Sequence, residues 1–268
     1  MNEIRAIVVG AAGRMGKMLV RAIAEAEDFR LVGATERPGS ALLGKDAGEV
    51  AGVGTLGVEL KAELAQCPDA DVVIDFTTPK ATLRHAEIAQ QRGMRLVVGT
   101  TGFSREERKH LEAIAHETGA VIAANFSIGV NLCLALVEQA ARALGDGFDL
   151  EIVEAHHRRK VDAPSGTALA LAEAAARAKG VLLDQVAVFA REGIVGERKQ
   201  GTIGFAVVRG GGVIGEHRVL FLGEKEVVEI RHEALDRAVF AAGALHAARW
   251  LVRQPLGLYS MREVLGLN

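Results

Sequence analysis

Ile4-Arg5-Ala6-Ile7-Val8-Val9-Gly10-Ala11-Ala12-Gly13-Arg14-Met15-Gly16 is the stretch that decides the fold. A β-branched apolar run feeds three glycines within seven residues, and a helical pattern begins directly after them. A dinucleotide-phosphate loop needs this context. Its glycines allow the tight turn, the close approach of backbone to pyrophosphate and the packing of the helix, whose N-terminal N–H groups face the charge. The spacing is GxxGxxG, with Ala12 where the strict GxGxxG form has its second glycine. An ordinary strand-to-helix turn is the plain alternative, because a glycine motif alone is a weak signal. About 20 residues on, an acidic residue at the end of the next strand should meet the adenosine ribose hydroxyls. Glu36 stands there, followed at once by Arg37. A carboxylate suits free ribose hydroxyls and a guanidinium suits a 2′-phosphate, so NADH and NADPH both remain open as cofactors. The competing reading of Glu36 and Arg37 is a solvated charge pair.

Outward from this loop, IRAIVVG, RLVGATE, VVIDF, RLVVGTT and AVIAAN alternate with helical patterns up to residue 127. That alternation predicts an α/β fold: an N-terminal Rossmann domain with a parallel sheet and crossover helices over 1–127. Gly129 to Leu144 reads as a helix ended by Gly145 and Gly147, and FDLEIVEAHH reads as a strand. Ser165 to Lys179 reads as an alanine-rich helix stopped by Gly180. The strand-like stretches GTIGFAVVRGGG and EHRVLFLGEKEVVEIRH follow, and their glycine and Gly-Glu-Lys turns predict antiparallel pairing. Residues 128–235 are therefore expected to form a second, α+β domain for substrate binding and oligomerisation. A long amphipathic helix over Leu235 to Val252 is expected to return to the first domain, which 236–268 would complete.

The chain's 268 residues suffice for a core that folding alone stabilises. A formal net charge of −2 gives no field for holding a polyanion, so a small molecule is a better partner than nucleic acid or an anionic membrane. Cys67 and Cys133 are far apart and fit no metal spacing, so no metal is expected and a reducing compartment is. The short apolar start reads as neither signal peptide nor anchor, no run reaches the roughly 18 apolar residues of a membrane span, and a cytoplasmic protein is expected.

The second unusual segment is Glu154-Ala155-His156-His157-Arg158-Arg159-Lys160-Val161-Asp162-Ala163-Pro164-Ser165-Gly166-Thr167. Two histidines and three cations leave a strand and lead into a helix. Such groups repel one another and lower each other's pKa unless an anion is present. The backbone N–H groups of Gly166 and Thr167, at a helix N-terminus, offer a second place for a carboxylate. A solvated charge run and a nucleic-acid patch are the alternatives; the net acidity and lack of interleaved aromatics speak against the patch.

EAHHRRKVDAPSGTA, together with GAAGRMG, closely resembles the dihydrodipicolinate reductase family, also called 4-hydroxy-tetrahydrodipicolinate reductases, of the diaminopimelate and lysine pathway. The family pattern EHHxxK…DxPSGTA is present apart from Ala155 between glutamate and histidine. VIDFTTP, GTTG at 99–102 and AANFSIGVN at 123–131 extend the resemblance over essentially the whole chain. It implies reduction of a cyclic, imine-like dicarboxylate by NADH or NADPH with loss of water, in a homotetramer whose substrate loop closes on binding. Carried over residue by residue, it implies His156 as proton donor and Lys160 as second proton donor or carboxylate partner, with substrate contacts at His157, Gly166 and Thr167. Cofactor contacts would be Gly10, Ala11, Ala12, Gly13, Arg14, Met15, Glu36, Arg37, Gly99, Thr100, Thr101, Ala123, Ala124, Asn125 and Phe126. Arg237, in ALDRAVF, is a further candidate for the substrate's other carboxylate. An NAD(P)-binding redox sensor and a reductase of another small acid are the competing functions. A sensor has no need of proton donors in a His-Lys loop.

Overall fold

A computed structural model describes residues 3–267. In chain order its first elements are β1 (Ile4–Val9), α1 (Arg14–Glu25), β2 (Phe29–Thr35), α2 (Ala47–Ala51), β3 (Leu60–Lys61) and β4 (Val72–Asp75). Then come α3 (Pro79–Gln91), β5 (Arg95–Val98), α4 (Arg105–Thr118), β6 (Ala120–Ile122), α5 (Ile128–Leu144), β7 (Asp149–His156) and α6 (Gly166–Ala178). The chain continues through α7 (Leu183–Val186), β8 (Ala187–Val188), β9 (Ile203–Arg209), β10 (Gly215–Leu222) and β11 (Val227–Ala234). It ends with α8 (Ala238–Leu251), β12 (Leu258–Tyr259) and α9 (Met261–Leu265). Two compact units result, one of residues 1–128 with 238–268 and one of residues 129–237.

The first unit is built on a seven-stranded sheet in the order β12-β6-β5-β4-β1-β2-β3. Every pairing in it is parallel. Buried on both faces, β1 and β4 read as continuous apolar runs, Ala6–Val9 and Val72–Ile74, as a helix-covered parallel sheet requires. The direction of winding reverses between β1 and β4, and ligands of such sheets bind outside the carboxyl ends at that switch point. The long helix α8, after the second unit, buries Ala241, Ala244, Leu245, Ala248 and Leu251 in the same core as β1 and α1. Gly243 is obligatory there, because any Cβ would overlap the Phe126 carbonyl oxygen.

The second unit has a five-stranded sheet, β11-β10-β7-β9-β8. The hairpin around Gly223-Glu224-Lys225 is antiparallel, as its turn residues predict, and β10 also runs antiparallel to β7. The GTIGFAVVRGGG stretch departs from the expected antiparallel pairing: β9 lies parallel to β7. The long connection through α6 and α7 returns the chain in β7's direction on one side, and the glycine-rich link 210–214 then carries β10 to β7's other side. One face of the sheet packs Leu150, Ile152, Phe205, Val219 and Phe221 against Cys133 and Val137 of α5 and Leu171 and Ala175 of α6. By length and hydropathy alone the segment Ile128–Gly147 is long and apolar enough to cross a membrane. Here its Cys133, Val137 and Ala141 form part of that core.

Candidate active site

In the first unit the sequence-predicted cofactor residues gather at the carboxyl ends of the parallel strands. Gly10 to Met15 follow β1, Glu36 and Arg37 follow β2, Gly99 to Thr101 follow β5, and Ala123 to Phe126 follow β6. Gly10 takes the left-handed φ of +66° that a side chain resists, and a Cβ on it would sit 2.7 Å from Thr77 Cγ2. A Cβ on Gly16 would overlap the Gly10 carbonyl oxygen and lie 2.6 Å from Ala11 Cα, so α1 meets the loop with no room for a side chain. Gly99 has the Phe76 ring where its Cβ would be. Gly13 caps α1 without a side-chain hydrogen bond, and the first turn holds no acidic residue, which leaves the positive helix end to an outside anion. Glu36 reaches back to accept the Ala12 N–H at 3.2 Å, tying the ribose-side carboxylate to the phosphate loop. Arg37 is exposed. These features fit a dinucleotide: a glycine cradle that any Cβ would fill, an uncapped helix N-terminus and a carboxylate at the end of β2.

Beneath this surface lies a network that motif reading passes over. The fully buried Asp75 carboxylate accepts the Thr77 N–H at 2.8 Å and the Thr77 hydroxyl at 2.6 Å, and pairs with His85 Nδ1 at 2.8 Å. Thr82 donates to Thr100 Oγ1 at 2.8 Å, and Thr100 in turn donates to Asp75 at 3.3 Å. Asp75 thus holds the turns after β4 and β5, the second of which carries Gly99 to Thr101. VIDFTTP hinted at the segment, but nothing local points to His85, ten residues along on α3.

In the second unit, strand register assembles the other half of the chemistry. Glu154 and His156 share a face of β7; Arg209 on β9 pairs with His156, and His217 on β10 pairs with Glu154. His156 Nδ1 lies 2.6 Å from Glu154 Oε2. Arg209 grips both oxygens of Glu154 at 2.7 Å, and the Ser165 N–H reaches Oε1 at 3.0 Å. Burial would raise the Glu154 pKa, but the hydrogen bonds from Arg209, His156 and Ser165 outweigh it and hold the carboxyl below its usual range. Burial pushes His156 below the usual histidine value; Glu154 opposes that, and Lys160 and Arg209 add to it. Burial and the neighbouring His156 push His217 down to about 4, so it is neutral at physiological pH, with Nε2 2.9 Å from Ser165 Oγ.

The loop after β7 brings Lys160 near this cluster, where its Nζ lies 2.8 Å from Asp162 Oδ2. The sequence predicts five mutually repelling cations; the chain itself supplies Glu154 and Asp162 to offset them, while Arg158 and Arg159 point to solvent. Ser165 caps α6 by accepting the Ala168 N–H at 3.2 Å, and with no acid in its first turn α6 opens at Gly166 as a seat for an anion. His157 Nδ1 is buried with no partner among the described residues, an orphan that a polar ligand atom would satisfy. Arg237, in the link that follows β11, is half-buried and is not tied to the cluster by any hydrogen bond or ion pair among the described residues. Sequence reading missed the roles of Glu154, Arg209 and His217. The alternation of Glu154 and His156 along a strand is the one local signal that pairs them.

Comparison with known proteins bears on both halves. Residues 4–126 match the family described as "Dihydrodipicolinate reductase, N-terminus", and residues 129–265 match "Dihydrodipicolinate reductase, C-terminus". Relatives from Acinetobacter baumannii and Acinetobacter baylyi, both named 4-hydroxy-tetrahydrodipicolinate reductase, are 50% identical over 262 residues, 97% of this chain and 96% of theirs. A dipicolinate-bound dihydrodipicolinate reductase from Paenisporosarcina sp. TG-14 superposes with a TM-score of 0.76 at 27% identity, covering 96% of this chain and 97% of that one. An amine dehydrogenase from Mycobacterium smegmatis, 16% identical with a TM-score of 0.66, shares the fold. With both of its halves matched and half of its residues identical to those relatives, this chain belongs to the dihydrodipicolinate reductase family.

Proposed function

We propose that this chain is an NAD(P)H-dependent oxidoreductase that reduces 4-hydroxy-tetrahydrodipicolinate to tetrahydrodipicolinate with loss of water, in lysine biosynthesis through diaminopimelate. The observation that carries this reading is the cluster in the second unit: an imidazole oriented by a buried carboxylate, beside a lysine and an acid-free helix N-terminus. Gly10 to Met15, Glu36, Arg37, Gly99 to Thr101 and Ala123 to Phe126 would hold the dinucleotide, which when bound would supply the hydride. His156 delivers the proton that quenches the charge left on the conjugated partner of the reduced carbon. Lys160 takes a substrate carboxylate in exchange for Asp162, and the Gly166 and Thr167 amides with His157 hold the substrate from the α6 side. Glu36 beside Arg37 supports use of both NADH and NADPH.

The active form is a homotetramer. The sheet face opposite the core carries Val153, Ala206, Val208 and Leu220, all partly or largely exposed, and a partner's sheet would cover them. The enzyme works in the cytoplasm, where the free, buried Cys67 and Cys133 suit a reducing compartment.

Steady-state kinetics of two variants test the assignment. His156→Gln should lower kcat by roughly a hundredfold with KM little changed, and Lys160→Ala should lower kcat and raise KM together. Near-normal turnover in both, with a shifted NADH dissociation constant, would place the active site elsewhere.

A further inference from the structure

Burying a carboxylate as completely as Glu154 is costly, and an apolar pair would fill the same space without that cost. What the charge achieves is visible in its partners. Oε2 takes His156 Nδ1 at 2.6 Å and Arg209 Nη1 at 2.7 Å, while Oε1 takes Arg209 Nη2 at 2.7 Å and the Ser165 N–H at 3.0 Å. An ionised carboxylate only accepts, and a neutral imidazole has one donor and one acceptor nitrogen. With Nδ1 facing Glu154, the donor must be Nδ1 and the lone pair must lie on Nε2. Gly215, next along β10, keeps that end open: a Cβ there would stand 3.1 Å from Nε2.

We propose that Glu154 is a positioning residue for the reaction: locked by Arg209, it fixes His156 as the Nδ1–H tautomer, so that Nε2 is the atom that takes up and hands over the proton. The proposal rests on the reading of His156 as the acid. The same carboxylate holds the N-cap residue of α6, so one side chain sets the imidazole relative to the Gly166 end of that helix. Arg209 is itself anchored by the Asp162 carbonyl at 2.7 Å, which couples the clamp to the loop that bears Lys160. The charged and titratable groups around the imidazole are Glu154 on its own strand, Lys160 and Asp162 on the loop, Arg209 on β9 and His217 on β10, with His232 of β11 paired behind His217. Among the described residues Glu154 is the one carboxylate hydrogen-bonded to the ring, and it favours the imidazolium that forms when Nε2 is loaded.

Two measurements decide it. In 15N spectra of the histidine-labelled wild-type enzyme, with His156 assigned by its loss in His156→Gln, neutral His156 should show a protonated Nδ1 and an unprotonated Nε2. A dominant Nε2–H form overturns the proposal whatever the variants do. Glu154→Gln keeps the side-chain size and one acceptor but removes the charge. It should lower kcat at least about tenfold, leave the dissociation constants for NADH and pyridine-2,6-dicarboxylate within about threefold, and move the midpoint of the essential acid in the pH–rate profile to lower pH. Wild-type kcat and an unmoved midpoint in Glu154→Gln overturn the positioning role. If Glu154→Gln does not fold, the wild-type tautomer decides alone. A near-normal His156→Gln would instead remove the acid assignment beneath the proposal, so the two failures are distinguishable.

Discussion

Gly16→Ala is the sharpest test of the dinucleotide cradle. The added Cβ would overlap the Gly10 carbonyl oxygen and sit 2.6 Å from Ala11 Cα and 2.8 Å from the Ala11 carbonyl carbon, all backbone atoms with no rotamer to yield. Carbon atoms rest at about 3.5–4.0 Å, so the loop or the start of α1 must give by about 1 Å. A hydrogen bond of about 2.9 Å from a loop N–H to a phosphate oxygen does not survive such a displacement. Each charge-assisted bond lost costs about 1.5–3 kcal/mol, and one bond alone corresponds to roughly a tenfold weaker complex. Calorimetric titration with NADH should therefore show the dissociation constant rising at least about tenfold, with pyridine-2,6-dicarboxylate affinity measured alongside as the control in the second unit. Gly147→Ala, whose Cβ meets nothing within 4 Å, calibrates the strain-free case for packing. An NADH dissociation constant unchanged in Gly16→Ala, with only a lowered melting temperature, would mean that this helix end does not seat the pyrophosphate.

Arg37→Ala should raise KM for NADPH far more than for NADH, and equal effects would remove Arg37 from the adenosine pocket. Light scattering at micromolar concentration should give the tetramer mass that the family resemblance implies; a monomer mass would refute the exposed sheet face as an interface between copies. Glu151 is gripped by Arg191 and Arg198 at 2.8–3.1 Å, and although burial would raise its pKa, those hydrogen bonds hold it below the usual value. Its contribution is therefore complete above the unfolded pKa of about 4.3 and is lost as pH falls through the lower folded value. Glu151→Gln should be less stable than wild type by about 1.5–3 kcal/mol at pH 7 in urea melts, and the gap should close in acid; a gap independent of pH would show that the charge is irrelevant.

What was legible in the sequence was what is local. The strand-to-helix glycines, the parallel β-α alternation and the alanine-rich helix between Ser165 and Gly180 announce themselves within a few residues, because backbone sterics and helix ends impose their chemistry on near neighbours. The parallel seating of β9 was not legible, since pairing partner and direction depend on how α6 and α7 return the chain. The Glu154–Arg209 clamp spans 55 residues and exists only in that register. Likewise the His85 ring on α3 meets the Asp75 carboxylate at the end of β4, a tertiary fact that neither segment states by itself. The sequence showed the cations after β7 plainly; their compensation by Glu154 and Asp162 required the fold.

The most direct measurement is the absorbance at 340 nm of the purified protein with NADH, when 4-hydroxy-tetrahydrodipicolinate is generated in the cuvette from pyruvate and aspartate semialdehyde by its synthase. Immediate oxidation of NADH is expected, one equivalent per substrate formed, abolished to background by omitting either the synthase or this protein and strongly slowed in His156→Gln. An unchanged absorbance with a folded protein that binds NADH tightly would contradict it and leave a nucleotide-binding protein that is not this reductase.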